Sequence, residues 1–126
     1  MLVSFNGSRF DLPFVQARWP QLRFEQLHAD LLYPLHKLGL HGGLKAIETQ
    51  CGIERSEETR GLTGHDAVKL WKRWERGDDE ALEVLLKYNE EDIVHLKPLA
   101  DLAYRTLRAR NLEPGRVDEP EDLALA

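Results

Sequence analysis

The chain is organised around residues 82–96, LEVLLKYNEEDIVHL. Apolar residues recur in and beyond this segment at intervals of three, four and seven, at positions 82, 86, 93, 96, 100, 103 and 107. These intervals match one face of an α-helix and predict a buried stripe. Tyr88 and Asp92 are four residues apart, so their side chains share one side of the helix, next to that stripe. A phenol and a carboxylate at the edge of a core can act on a bound molecule.

A second candidate segment is residues 1–11, MLVSFNGSRFD. It predicts a short buried strand over Leu2–Phe5, a turn at Asn6-Gly7, and a helix that opens at Asp11. A further carboxylate would therefore follow a strand directly, where it could complete the first site.

The composition fits a folded domain in a reducing compartment. The 126 residues are 42% apolar and 31% charged, and this length predicts one domain. A net charge of −5 disfavours a general phosphate-backbone binder but leaves open an enzyme that meets phosphate through divalent cations. Cys51 is the only cysteine, which excludes a disulfide framework. The sequence has no apolar run of membrane-span length and no secretion signal, so we expect a cytoplasmic protein without membrane contact.

Helices dominate the remaining predicted structure. A second strand is expected around Leu27–Ala29, and Thr63 and Asp78 are predicted helix N-caps. The predicted helices span residues 11–18, 31–38, 44–51, 65–76 and 79–110. Pro98 predicts a kink in the last helix, and Asn89 suggests another break.

The two predicted strands are separated by a helix, which predicts that they pair in parallel. Two parallel strands are marginal alone, so the chain reads like the second half of an α/β domain. We predict a helix-rich α/β domain over residues 1–112. Residues 113–126 are rich in acidic residues and proline and predict a disordered tail.

Several motifs occur in an order that resembles a known family. Asn6-Gly7 with Phe10-Asp11, followed by Tyr88-x-x-x-Asp92, is similar to the second and third motifs of the DEDD superfamily of 3′–5′ exonucleases, tyrosine subclass. Further landmarks resemble the YprB-like branch of predicted exonucleases: Leu44-Lys45-x-x-Glu48, Gly64-x-x-Ala67-x-x-x-Trp71, Gly77-Asp78 and Ala81-Leu82. The resemblance covers about residues 2–108 and implies a ribonuclease H-like fold.

The resemblance also implies roles for four residues in metal-dependent 3′–5′ hydrolysis of single-stranded DNA or RNA. Asp11 and Asp92 would bind Mg²⁺ or Mn²⁺ through carboxylate oxygens, which hard cations prefer. Tyr88 would position the attacking water, and Asn6 would contact substrate. Each polar residue has a plainer interpretation. Asp11 could be a helix N-cap, Asp92 a solvated carboxylate, and Asn6 a residue that holds the turn.

The chain departs from the family at the first motif, an Asp-x-Glu that supplies two of the four metal-binding carboxylates. Residues 1–5 contain no such motif. We therefore expect the isolated chain, whether a fragment or a natural half-domain, to be incomplete or inactive as an enzyme. The alternatives are a catalytically inactive nucleic-acid-binding domain and a half-domain that docks on a partner chain or a second copy. In the docking case, Leu2–Phe5 would present an open strand edge.

Three further polar residues could approach the site. Asp30, at the end of the second strand, is predicted to be a local cap. Glu48 is predicted to be solvated or ion-paired on its helix. His95 follows Asp92 by three residues, which allows it to touch the site.

Overall fold

The computed structural model describes residues 1–112. This part of the chain forms two strands and six α-helices. In chain order they are β1 (Leu2–Ser4), α1 (Asp11–Arg18), β2 (His28–Asp30), α2 (Leu32–Lys37), α3 (Leu44–Gln50), α4 (Gly64–Trp74), α5 (Asp79–Val94) and α6 (Leu96–Leu112). The tail predicted over residues 113–126 lies outside the described residues. Among residues 1–112, no helix combines the length and apolar character needed to cross a membrane.

The strands β1 and β2 form a parallel two-stranded sheet, as predicted. Leu2 lies opposite His28, and Ser4 lies opposite Asp30. The second strand spans His28–Asp30, one residue later than the predicted Leu27–Ala29. The predicted fold class, a helix-rich α/β domain with two short parallel strands, is confirmed.

The hydrophobic core packs α2, α3 and α6 against one another. Its buried members are Leu31, Leu35, Leu38, Leu40, Ile47, Cys51, Leu99, Leu102 and Ala103. Val3 and Phe5 extend from the sheet onto this cluster. The end of β1 is therefore anchored to the helical core, and the turn that follows it is held at the edge of that core.

Local capping chemistry sets the starts of α4 and α5. The Thr63 hydroxyl accepts a hydrogen bond from the Asp66 N–H, and the Asp66 carboxylate accepts one from the Thr63 N–H, which makes a capping box. The Asp78 carboxylate accepts a hydrogen bond from the Ala81 N–H at 3.2 Å. Both predicted N-caps are confirmed.

The long helix predicted over residues 79–110 is two helices, and its predicted breaks were misplaced. α5 continues through Asn89, and the chain breaks at His95. Pro98 lies in the first turn of α6, where its missing N–H leaves no hydrogen bond unmade. Pro98 therefore lies in the first turn of a separate helix and does not kink a continuous one.

The buried face of this region also differs from the predicted stripe. Leu86 and Ile93 belong to that stripe, yet they are 59% and 60% exposed. Tyr88 and Glu91 are buried instead. The apolar spacing predicted the wrong buried face of α5. The loop that contains Ser56 and Thr59 folds over this helix and donates hydrogen bonds to Glu91, so a charged residue is buried there.

Candidate active site

β1 leads into a tight turn at the edge of the candidate site. Asn6 has a φ of 61°, in the left-handed region. Gly7 follows because a Cβ at this position would lie 2.4 Å from the Ser4 Oγ. The Gly7 N–H donates to that same Oγ at 3.1 Å. The predicted turn is present, and its shape depends on the close approach of a glycine to Ser4.

Asp30 fastens this turn to the end of β2. Its Oδ1 accepts the Asn6 N–H at 2.7 Å, and its Oδ2 accepts the Ser8 N–H at 3.1 Å and the Ser8 hydroxyl at 2.5 Å. The Oδ1 of Asp30 also accepts the Leu32 N–H at 3.2 Å, at the start of α2, where Leu31 occupies the N-cap position. Burial opposes the charged form, but the hydrogen bonds, led by Ser8, outweigh it and lower the pKa of Asp30.

A cavity of about 430 Å³ lies beside β1, and both Asp11 and Asp92 line it. Asp11 is the first residue of α1, and Asp92 lies in the last turn of α5. Phe10 occupies the N-cap position of α1, so the plainer interpretation of Asp11 as an N-cap is wrong. The structure therefore brings the two predicted carboxylates to one cavity.

Tyr88 lies one turn before Asp92 and packs at the edge of the core. Tyr88 is 7% exposed. The Lys45 Nζ lies 4.4 Å from the centroid of its ring, and the Arg55 Cζ lies 5.4 Å from it. Two cations thus cover the aromatic ring, a favourable arrangement because the ring face is electron-rich.

The carboxylate of Asp92 is engaged by the same two cations. The Arg55 Nη2 lies 2.5 Å from the Asp92 Oδ1, and the Lys45 Nζ lies 3.3 Å from it. The interpretation of Asp92 as a freely solvated carboxylate is therefore wrong. Asp92 is a half-buried, doubly ion-paired group on the cavity wall.

Arg55 also forms a buried ion pair with Glu48. The Arg55 guanidinium donates to both carboxylate oxygens of Glu48, each at 2.7 Å. Burial opposes the charged guanidinium, but the bonds to Glu48 and Asp92 raise the pKa of Arg55 overall. The His95 Nδ1 lies 3.2 Å from the Glu48 Oε1 but forms no hydrogen bond with it. His95 therefore contacts the site through Glu48.

Glu91 holds the loop that carries Arg55 against α5. Its carboxylate accepts the Ser56 N–H at 3.0 Å and the Thr59 hydroxyl. Burial opposes ionisation of Glu91, but these hydrogen bonds, led by that from Thr59, lower its pKa to about 2. A charged Glu91 thus fixes the position from which Arg55 reaches Asp92.

Sequence reasoning missed Arg55 and gave Lys45 no role at the site. Lys45 and Glu48 stand in a landmark shared with the resembling family, and this was the available signal for one of them. Arg55 lies in a polar loop whose sequence carries no local pattern. Its role follows from how the loop folds over α5.

Comparison with known proteins decides the superfamily. The RNase_H_2 family model, described as RNase_H superfamily, matches residues 1–104. The chain belongs to the RNase H superfamily. The matched region contains β1, β2 and the whole candidate site. Neither a comparison with curated proteins nor one with solved structures finds a significant match.

The described residues of this RNase H-like domain do not fit a metal centre on their own. Residues 1–112 contain no group of three or more His, Cys, Asp or Glu side chains placed to hold a metal ion. Asp11 and Asp92 share a cavity, but Asp92 already has two cationic partners. A divalent cation at Asp92 would meet like charge from Lys45 and Arg55.

Proposed function

We propose that this chain is one half of a metal-dependent 3′–5′ exonuclease domain of the DEDD type, YprB-like branch, that acts on DNA or RNA. The convergence of Asp11 and Asp92 on one cavity beside β1 carries the proposal. Membership in the RNase H superfamily supports a nuclease-like domain. In this proposal Asp11, Asp92 and Tyr88 are the catalytic half-site, and Asn6 contacts the substrate strand.

The other half would pair along β1. The Leu2 N–H donates to the Leu27 carbonyl, and the Ser4 carbonyl accepts from the Leu31 N–H, so both residues turn towards β2. Backbone groups alternate in direction along a strand, so the N–H and C=O of Val3 turn the other way. A strand carrying Asp-x-Glu could pair there and bring two carboxylates to the cavity. Those are the oxygen ligands that Mg²⁺ or Mn²⁺ would require.

The experiment restores the missing motif. The chain is assayed on end-labelled single-stranded DNA and RNA with Mg²⁺ or Mn²⁺, alone and fused behind an N-terminal segment whose last strand carries Asp-x-Glu. We expect little digestion by the chain alone and shortening from the 3′ end by the fused protein. Asp92→Asn should abolish that activity, because an amide offers no charge to a dication, and Tyr88→Phe should lower it.

The matched control is Tyr104→Phe, which removes a phenol hydroxyl from an exposed residue of α6. It should leave the activity of the fused protein unchanged. A fused protein that folds and digests neither DNA nor RNA would overturn the exonuclease proposal. Robust digestion by the chain alone, lost in Asp92→Asn, would show that the half-site needs no second half.

A docking half-domain is the second candidate function. The rings of Phe10 and Phe14 contact each other with centroids 4.8 Å apart at a tilt of 42°. Both side chains are exposed, and Phe10 lines the cavity. Together with the open edge of β1, they favour a partner chain or a second copy at this surface. An added segment that binds tightly without creating nuclease activity would support this candidate.

A further inference from the structure

The outer side of α4 carries a concentration of positive charge. With 3.6 residues per turn, positions 65, 69, 72 and 73 fall within about 100° of the helix circumference. Arg76 lies in the turn after α4, and its N–H donates to the Arg73 carbonyl at 3.1 Å, which keeps it one turn beyond Arg73. The residues on this side are all exposed: His65, Lys69, Lys72, Arg73 and Arg76.

Three of these cations have no counter-charge bound to them. The Arg73 Nη2 pairs with the Asp78 Oδ2 at 2.6 Å. Within residues 1–112, the side chains of Lys69, Lys72 and Arg76 form no hydrogen bond or ion pair. We call these three residues the basic row.

The acidic residues of this segment are engaged by other donors. The Asp66 carboxylate accepts the N–H and the hydroxyl of Thr63. These hydrogen bonds lower the pKa of Asp66, and the charge of Lys69 adds to the effect. The Glu75 Oε1 accepts the Trp71 Nε1–H at 3.0 Å. The local acids therefore leave the ammonium and guanidinium groups of the basic row open to a ligand.

We infer that the basic row binds the phosphate backbone of single-stranded nucleic acid outside the candidate cavity. The inference deepens the proposed function and rests on it, because it assigns a surface that holds the substrate strand. A lysine ammonium binds phosphate as a point charge. The row spans about 10 Å of helix axis, a length over which one strand presents about three phosphates. A compact anion would instead need donors that converge on one point.

The net charge of the chain makes the basic row distinctive. The whole chain carries a net charge of −5, so a polyanion is not attracted to its surface in general. The row is a local exception, and a nucleic acid strand that approaches the chain is directed to α4.

The start of α4 also leads towards the candidate site. Thr63, the N-cap of α4, lines a second cavity of about 470 Å³ together with Arg60 and Lys45. Lys45 also lines the cavity shared by Asp11 and Asp92. This second cavity has charges of both signs on its wall, so the inference rests on the basic row and not on the cavity.

The test measures binding of the whole chain to fluorescein-labelled single-stranded oligothymidine by fluorescence anisotropy, over a series of NaCl concentrations. EDTA is present, so neither a divalent metal nor hydrolysis contributes. The triple variant Lys69→Gln, Lys72→Gln, Arg76→Gln should bind about tenfold or more weakly at low salt. The slope of log affinity against log salt concentration should become shallower by about 2, because about 0.7 is lost for each phosphate contact.

A charge-matched control removes three exposed lysines from other helices. The variant Lys37→Gln, Lys87→Gln, Lys97→Gln has the same net charge as the first triple variant. It should keep the salt slope of the unmodified chain. Equal losses of affinity and slope in the two triple variants would overturn the inference, as would an unmodified chain that does not bind the oligonucleotide at low salt.

Single variants keep the inference falsifiable if the triple variant does not fold. Lys72→Gln should make the slope shallower by about 0.7, because one phosphate contact is lost. Lys72→Arg keeps the positive charge and should keep the slope. Circular dichroism establishes that each variant is folded. A slope unchanged in Lys72→Gln would count against the basic row.

Competition distinguishes nucleic acid from an acidic protein segment. Poly-glutamate of equal charge should displace the labelled strand less well than unlabelled oligothymidine, because binding of a nucleic acid strand also releases its condensed counterions. Equal displacement by the two competitors would overturn the assignment to nucleic acid and would indicate an acidic protein partner.

These results are separable from nuclease activity. If the fused protein of the preceding section lacks activity while binding of oligothymidine depends on the basic row, the exonuclease proposal fails and the basic row stands. If the fused protein digests its substrate and binding is unchanged in the triple variant of the basic row, the exonuclease proposal stands and the inference fails.

Discussion

The two walls of the candidate cavity differ in how completely their side chains are paired or buried within the chain. The helical wall is formed by α3, α5 and the start of α6. Behind it, Arg55 links Glu48 to Asp92, and Glu91 binds the loop that carries Arg55. On the N-terminal wall, formed by β1 and α1, every residue of α1 is exposed or half-buried. The helical wall carries its own counter-charges. The N-terminal wall has an ordered turn but buries no residue of α1 and leaves Phe14 exposed.

This contrast shows that stability and candidate chemistry are unevenly distributed. The buried ion pair lies behind Asp92, so the carboxylate of α5 is held by the core. Asp11 lies on the wall that is packed least, and its position depends on the turn before it. Three substitutions can break or sharpen this contrast, and the first is expected to have the largest effect.

Arg55→Met should cost the most. It leaves Glu48 buried without its bidentate partner, and removing one member of a buried ion pair costs about 3–5 kcal/mol of unfolding free energy. Urea unfolding followed by circular dichroism measures the loss. Arg73→Met is the matched control, because Arg73 pairs with Asp78 at 2.6 Å on the surface and should change stability little. Equal losses in the two variants would show that the helical wall does not depend on its buried pair.

Gly7→Ala should have an intermediate effect. The new Cβ would lie 2.4 Å from the Ser4 Oγ and 2.6 Å from the Ser4 Cβ, so the turn must shift at a cost of about 1–3 kcal/mol. Gly64→Ala is the control, since a Cβ there meets nothing within 4 Å. Unfolding free energies compare the two variants. A Gly7→Ala chain as stable as Gly64→Ala would mean that the N-terminal turn is loosely held.

Phe14→Ser should have the smallest effect on stability. Phe14 is 64% exposed, so its replacement should change the unfolding free energy by no more than about 0.5 kcal/mol. Leu35→Ala, at a fully buried position, should cost about 2–5 kcal/mol. Sedimentation velocity should show that Phe14→Ser weakens any self-association of the chain. A large loss of stability in Phe14→Ser would show that α1 packs more tightly in solution than its exposure indicates.

Much of the fold could be predicted because its signals are short in sequence. The capping box of Thr63 and Asp66 spans one helical turn, and backbone donors at a helix start must be satisfied within that distance. The parallel pairing of the strands followed from the helix between them. The spacing of Tyr88 and Asp92 placed both on one side of α5.

The break at His95 and the true buried face could not be predicted from periodicity. Pro98 is compatible with a kink inside a helix or with the first turn of a new one, and local sequence does not choose between them. Glu91 is charged, so apolar spacing assigns it to solvent. It is buried because Ser56 and Thr59 donate hydrogen bonds from a loop.

The sequence was sufficient to predict a helix-rich RNase H-like half-domain, its parallel strands and the residues Asp11, Tyr88 and Asp92 as a candidate group. Only the tertiary structure decided that Asp11 and Asp92 share a cavity and that the side chains of Lys45 and Arg55 bind the Asp92 carboxylate. The physical reason is distance along the chain. Lys45 and Arg55 lie 47 and 37 residues from Asp92, and the pairing of charges that far apart is set by tertiary packing rather than by local pattern.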